Sequence, residues 1–140
     1  DLVVIDYLGL IQGRGKTRDR VSEVSEISRS VKLMARELNV PVLILSQLSR
    51  NPEQRNDHRP MLSDLRESGA IEQDADEVLF LYRPAVYDTS KDEKEATVII
   101  AKNRNGRTGE CNLLWDGEHF RFYEHEIDFD AIGEDEQICM

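Results

Sequence analysis

Two short apolar runs flank one long amphipathic stretch at the start of the chain, and this order constrains the fold more than any other feature. The first run, Leu2-Val3-Val4-Ile5, stops at Asp6. Val21, Val24, Ile27, Ser28, Val31, Met34, Ala35 and Leu38 then recur at three- and four-residue spacing, the period of a helix with one apolar face. Asp19 stands where it would cap that helix, and Asn39 where it would end it. The second run, residues 40–45, has Pro41 near its beginning and reads as a buried parallel strand. The first run likewise reads as fully buried. A chain that opens inside such a strand is expected to be a fragment of a longer domain.

The remainder extends this pattern. Residues 49–60 form a polar loop, and Ser63 or Asp64 is placed to cap a short helix that runs through Ile71, interrupted by Gly69. Residues 78–82 read as a third apolar strand. Residues 97–101 and 112–115 read as two more, separated by a basic turn over 102–109 whose Asn105-Gly106 pair signals a tight hairpin. A last short strand is expected over 120–123. The order predicts an α/β sheet, parallel at first with an antiparallel edge hairpin. Ligands of open parallel sheets sit beyond the carboxyl ends of strands, where Asp6, Gln47 and Tyr82-Arg83 all fall. Lys102 and Arg104 lie instead on the hairpin.

Charge decides which partners stay open. The chain carries 28 acids against 18 bases, a net −10, which argues at first against nucleic acid. Most of the excess lies in one place: Asp116, Glu118, Glu124, Glu126, Asp128, Asp130, Glu134, Asp135 and Glu136 face a single base, Arg121. Residues 124–140 are therefore expected to be an acidic, disordered tail beside a domain of residues 1–123, and such a tail does not exclude a local basic loop. Cys111 and Cys139 form no CxxC pair, and His58, His119 and His125 lack metal-ligand spacing. No apolar stretch approaches the ~18 residues of a membrane helix, no signal peptide is present, and the expected compartment is the cytoplasm.

Apolar residues followed by Asp, as at Asp6, form the Walker B pattern, in which a strand fixes a carboxylate to hold Mg²⁺ beside nucleotide phosphates. An ordinary buried strand that ends in Asp gives the same letters. Downstream, Gly9 to Gly15-Lys16-Thr17 imitates a phosphate-binding loop. That motif needs four residues between its glycines, and here five intervene, so the segment reads as a basic surface loop. Gln47, in Leu45-Ser46-Gln47-Leu48-Ser49-Arg50, offers a carboxamide to a γ-phosphate oxygen, or is a plain polar strand end. In the segment from Leu65 to Asp76, Arg66 supplies a phosphate-directed cation, while Ser68 and Gly69 let a strand approach the backbone. A solvated helix face is the alternative there. Lys102, Arg104 and Arg107 gather cations on a hairpin that would reach across a subunit boundary, or that merely discourages edge pairing.

Taken in order, these pieces resemble the C-terminal ATPase domain of the DnaB family of bacterial and phage replicative helicases. The matching stretches are Val4-Ile5-Asp6-Tyr7-Leu8, Glu26-Ile27-Ser28-Arg29-Ser30, Ser46-Gln47-Leu48-Ser49-Arg50, residues 63–76 and residues 102–109. The resemblance implies the C-terminal portion of a RecA-like P-loop NTPase core, in a homohexameric ring that hydrolyses ATP and translocates on single-stranded DNA, with primase and a helicase loader as partners. It implies that Asp6 serves Mg²⁺, that Gln47 senses the γ-phosphate, that Arg66, Glu67 and Gly69 lie at the DNA-binding loop, and that Lys102 and Arg104 act in trans on a neighbour's nucleotide. The sequence departs from the family at Gly9, where Gln is usual, and at Arg107, where Pro is usual. The family's phosphate-binding loop and catalytic Glu are absent from these 140 residues, so the polypeptide alone is expected to show no ATPase activity. Two other readings remain at this level: a recombinase-like DNA-dependent ATPase on the same fold, and a non-catalytic interaction module built around the acidic tail.

Overall fold

The computed structural model describes residues 1–12, 19–65 and 69–124. The basic loop over 13–18, the Arg66-Glu67-Ser68 segment and the acidic tail from 125 onward lie outside the described residues. Strand β1 (Val3–Ile5) is followed by helix α1 (Arg20–Leu38) and strand β2 (Val42–Ile44). Helix α2 (Gly69–Asp74) precedes strands β3 (Glu77–Tyr82), β4 (Glu95–Asn103), β5 (Gly109–Asp116) and β6 (Arg121–Glu124).

Helix α1 forms where the apolar period places it, and its caps are those read from the sequence. The Asp19 carboxylate accepts the Val21 N–H at 3.3 Å, and Asn39 ends the helix in the left-handed region at φ 51°, its N–H donating to the carbonyls of Ala35 and Arg36. Such a cap satisfies carbonyls that the last turn leaves free. Val24 and Ile27 are buried against Leu8 and Ile71, with Ile11, Val31 and Ile44 around them. Val21 and Leu38, which share the apolar period, are exposed at the two ends of that face.

The expected order holds, parallel first and antiparallel after, but as two sheets instead of one. β1 and β2 pair in parallel, with Val3 opposite Val42 and Ile5 opposite Ile44. β3 does not extend them as a third parallel strand: it pairs antiparallel with β4, in a separate four-stranded sheet of order β3-β4-β5-β6. Nor are β1 and β2 buried on both faces. Val4 is 56% exposed and Leu43 50%, because α1 covers one face of the pair and, among the described residues, no element covers the other. An alternation of half-buried and exposed positions follows from the period-two pleat.

Two local expectations also change. In place of the helix expected from Ser63 or Asp64 through Ile71, a short 3-10 turn forms at Leu62–Asp64, and α2 is described over Gly69–Asp74, with residues 66–68 outside the described residues. The hairpin between β4 and β5 exists, but neither Asn105 nor Gly106 has the positive φ that a two-residue Asn-Gly turn requires. Ladder pairing to β5 stops at Ile100 opposite Gly109, while β4 runs on beside β3 to Asn103 after a bulge. The Asn103 side chain closes the wider loop by accepting the Asn105 N–H at 3.1 Å. A Cβ on Gly106 would lie 2.6 Å from the Asn103 side-chain nitrogen and would displace that side chain from the loop it closes.

Candidate functional site

Parallel pairing brings the carboxyl ends of β1 and β2 to one edge. The Leu45 N–H donates to the Ile5 carbonyl at 3.0 Å and the Leu8 N–H to the Leu45 carbonyl at 2.9 Å, so the chain segments that carry Asp6 and Gln47 leave the pair together. Both residues are exposed, and neither side chain has a hydrogen-bond or ion-pair partner among the described residues. Beside them opens a cleft of about 640 Å³, whose lining includes Tyr7, Arg20, Ser46, Gln47 and Arg50. Asp6 is not part of that lining. Gly9 is overlain by the Tyr7 ring, since a Cβ there would come within 2.4 Å of Tyr7 Cε2.

The donor set at Asp6 suits one kind of metal. No group of three His, Cys, Asp or Glu side chains converges among the described residues. A single free carboxylate is what Mg²⁺ takes when waters and substrate phosphates fill its other positions. A cage made wholly of protein ligands is not available here.

Tyr82 and Arg83, expected at the same edge, are engaged elsewhere. The Tyr82 hydroxyl donates to the Asp57 carbonyl at 2.8 Å, and the Arg83 guanidinium lies 4.7 Å from the centre of the Trp115 ring. They help fasten the four-stranded sheet and the loop after β2. That loop has its own fastening. Asp64 is fully buried and accepts from Arg55 Nη1 at 2.9 Å and Nη2 at 2.5 Å, and from the Met61 N–H at 2.7 Å. The Arg55 guanidinium holds the Asp64 carboxyl below the usual carboxylate range. The Asp64 carbonyl accepts the Ser49 N–H at 2.9 Å, which ties the turn to the segment just after Gln47.

Lys102 and Arg104 form a second polar centre, at the C-terminal end of α2. Lys102, in β4, donates to the carbonyls of Glu72 and Ala75 at 2.5 and 2.8 Å. Arg104 donates to the Gln73 carbonyl at 2.9 Å and to Asp76 at 2.8 Å. Lys32 of α1 bonds the other oxygen of Asp76. Gly69 stands at the opposite, N-terminal end of the same helix. Sequence reading gave Asp64 only as a cap candidate and missed its pairing with Arg55, which depends on loop geometry. It also missed Asp76, one acid among several whose pairing with Arg104 spans 28 residues.

The comparisons agree with one another. Residues 1–124 match the family described as the DnaB-like helicase C terminal domain. The chain is 55% identical over 134 residues to the replicative DNA helicase DnaC of Bacillus subtilis (strain 168), covering 94% of this chain and 30% of that protein. It is 56% identical over 131 residues to the replicative DNA helicase DnaB of Geobacillus stearothermophilus, covering 92% and 29%. Among solved structures, it is similar to an ATPase domain with a TM-score of 0.86 and 50% identity, covering 89% of this chain and 44% of the other. A DnaB-like replicative helicase, solved with a view to its interactions with primase, aligns with a TM-score of 0.85 and 51% identity, covering 89% and 31%. The chain thus spans under a third of the length of the curated relatives named here.

Proposed function

The chain belongs to the DnaB-like helicase C-terminal domain family, and from that premise we propose that it is part of the motor of a replicative DNA helicase, coupling ATP hydrolysis to translocation on single-stranded DNA. The observation that carries this reading is the pair of free side chains, Asp6 and Gln47, on the shared carboxyl edge of two parallel strands. In that place Asp6 would hold Mg²⁺ on the nucleotide and Gln47 would bond a γ-phosphate oxygen. When bound, ATP with Mg²⁺ would supply the leaving group and the charge neutralisation. The residues here hold, orient and sense. Arg66, Glu67 and Gly69 would lie along the DNA strand, contacting its backbone without reading sequence. Lys102 and Arg104 would complete a neighbour's site in a homohexameric ring.

Primase and a loader are the proposed protein partners, the first because a structural relative is described with its primase interactions. The recombinase reading rested on fold alone, and the helicase family match draws support away from it. Among the described residues no helix is long and apolar enough to cross a membrane.

Mixed rings of the full-length protein test the site and the assembly together. Arg104→Ala subunits should bind ATP yet turn it over about three to five orders of magnitude more slowly, the worth of a supplied arginine in related phosphoryl transfer. Mixed with Asp6→Asn subunits under exchange, they should regain activity, because an intact Arg104 can then complete an intact Asp6 site next door. Mixed rings that assemble and stay inactive would defeat the trans assignment.

A further inference from the structure

Lys102 and Arg104, proposed to act on a neighbour, both hold partners within this chain, but not equally. The last carbonyls of a helix lack partners within it, and a cation there also meets the negative end of the helix dipole. Lys102 takes that role for Glu72 and Ala75. Arg104 makes a more exchangeable set. Its backbone N–H donates to the Asp76 carbonyl at 2.8 Å and anchors the hairpin root whatever the side chain does. Its terminal nitrogens divide between Asp76 Oδ1 and the Gln73 carbonyl. Those two nitrogens are the fork that a phosphate would need for a bidentate contact. The side chains of Arg104 and Asp76 are 48% and 49% exposed, so another anion can reach and replace this partner.

We propose that Asp76 is a latch: with the Gln73 carbonyl it holds the Arg104 guanidinium in cis, and a nucleotide phosphate on the neighbouring subunit must displace it before Arg104 can act in trans. This rests on the reading of Arg104 given above. Asp76 touches no reacting atom in it; it is a positioning residue acting through Arg104. Lys32 competes for the same carboxylate from α1, which makes the latch weaker than a lone Arg–Asp pair. Release of Arg104 also removes one of the two basic side chains on the C-terminal end of α2. The helix spans only about 9 Å from that end to Gly69, beside the proposed DNA path. A change at the neighbour's nucleotide site would thereby be felt at one end of the element whose other end carries Gly69.

The test is ATP turnover without DNA in the full-length, ring-forming protein. Asp76→Asn removes the charge that holds Arg104 and should raise this rate about two- to fivefold, the scale of an exposed ion pair. Lys32→Met removes the competitor, strengthens the hold and should lower the rate. A plain structural staple predicts something else, because both changes would loosen the same junction and move the rate in the same direction. A rate that stays level or falls in Asp76→Asn, or that stays level or rises in Lys32→Met, overturns the latch. Should Asp76→Asn fail to assemble, the Lys32→Met arm decides alone. Arg104→Ala separates the two levels: full turnover in that variant means the trans reading itself has failed. An inactive Arg104→Ala beside an unraised Asp76→Asn rate overturns the latch only.

Discussion

Two arginine–aspartate pairs in this domain use the same chemistry to opposite ends. Arg55 grips both oxygens of Asp64 inside a loop, where the carboxylate has no exposed surface and also receives a backbone N–H. Arg104 meets Asp76 with one nitrogen, at the surface, where Lys32 shares the carboxylate. A carboxylate without exposed surface is expensive to unpair, although its partner Arg55 keeps 26% of its side chain in water. An exposed pair exchanges with solvent and with other ions at little cost. The first arrangement fixes a loop, and the second suits a group that must change partners. The difference is one of burial, with residue types held constant.

The sharpest way to break this comparison is to remove the buried partner. Asp64→Ala should destabilise the protein by about 1–3 kcal/mol, measured by urea unfolding at neutral pH, and should loosen the turn whose backbone carbonyl holds Ser49. A loss below about 1 kcal/mol would place Asp64 in the surface class and remove the distinction.

The pairs also mark how far sequence reading reaches. Helix α1 was legible because its period and both caps are local: Asp19 and Asn39 bond residues within four positions. The edge that presents Asp6 and Gln47 was legible too, since a helix between two short apolar runs leaves few pairings. What escaped depends on the third dimension. Arg55 and Asp64 sit in a polar stretch whose letters announce a loop and nothing of a buried ion pair. The engagement of Lys102 with α2 needs β4 and α2 side by side, and nothing local encodes that. Asn105-Gly106 misled because turn propensity is outweighed when β4 continues alongside β3 and the Asn103 side chain closes the loop. The strands read as fully buried are half exposed, because apolar letters record a strand's chemistry without recording what covers its faces. Arg66 and Glu67 lie outside the described residues, and their role stays with the family resemblance.

A smaller effect sharpens the other side of the comparison. Asp76→Asn should change global stability by only about 0.2–1 kcal/mol, and 1 M salt should erase much of that by screening. Salt should reduce the Asp64→Ala deficit by a smaller fraction, since Asp64 itself has no surface for ions to reach. Equal salt sensitivity in the two variants would mean that burial does not separate the pairs.

The last and smallest distinction is in pH, and its sign follows from the direction of the shifts. Both carboxyls are held below the ordinary aspartate value of 3.8, Asp64 foremost by its hydrogen bonds from Arg55 and Asp76 foremost by its bond from Lys32. A group whose folded pKa is depressed contributes stability in full above its unfolded pKa, and loses it as pH falls through the folded value. Each aspartate should therefore contribute a constant amount from pH 7 to about pH 5. Its contribution should shrink only below the ordinary carboxylate range. Replacement by Asn mimics the protonated form, so the stability gap between the natural protein and Asp64→Asn should be flat across neutral and mildly acidic pH and should close as the medium becomes more acidic. Asp76→Asn should follow the same direction from a much smaller starting gap. Urea unfolding of the three proteins at pH 7, 5 and 3 would read both curves. A gap for Asp64→Asn that survives unchanged at pH 3 would mean that its deficit is steric. The charge on Asp64 would then not be what holds the loop.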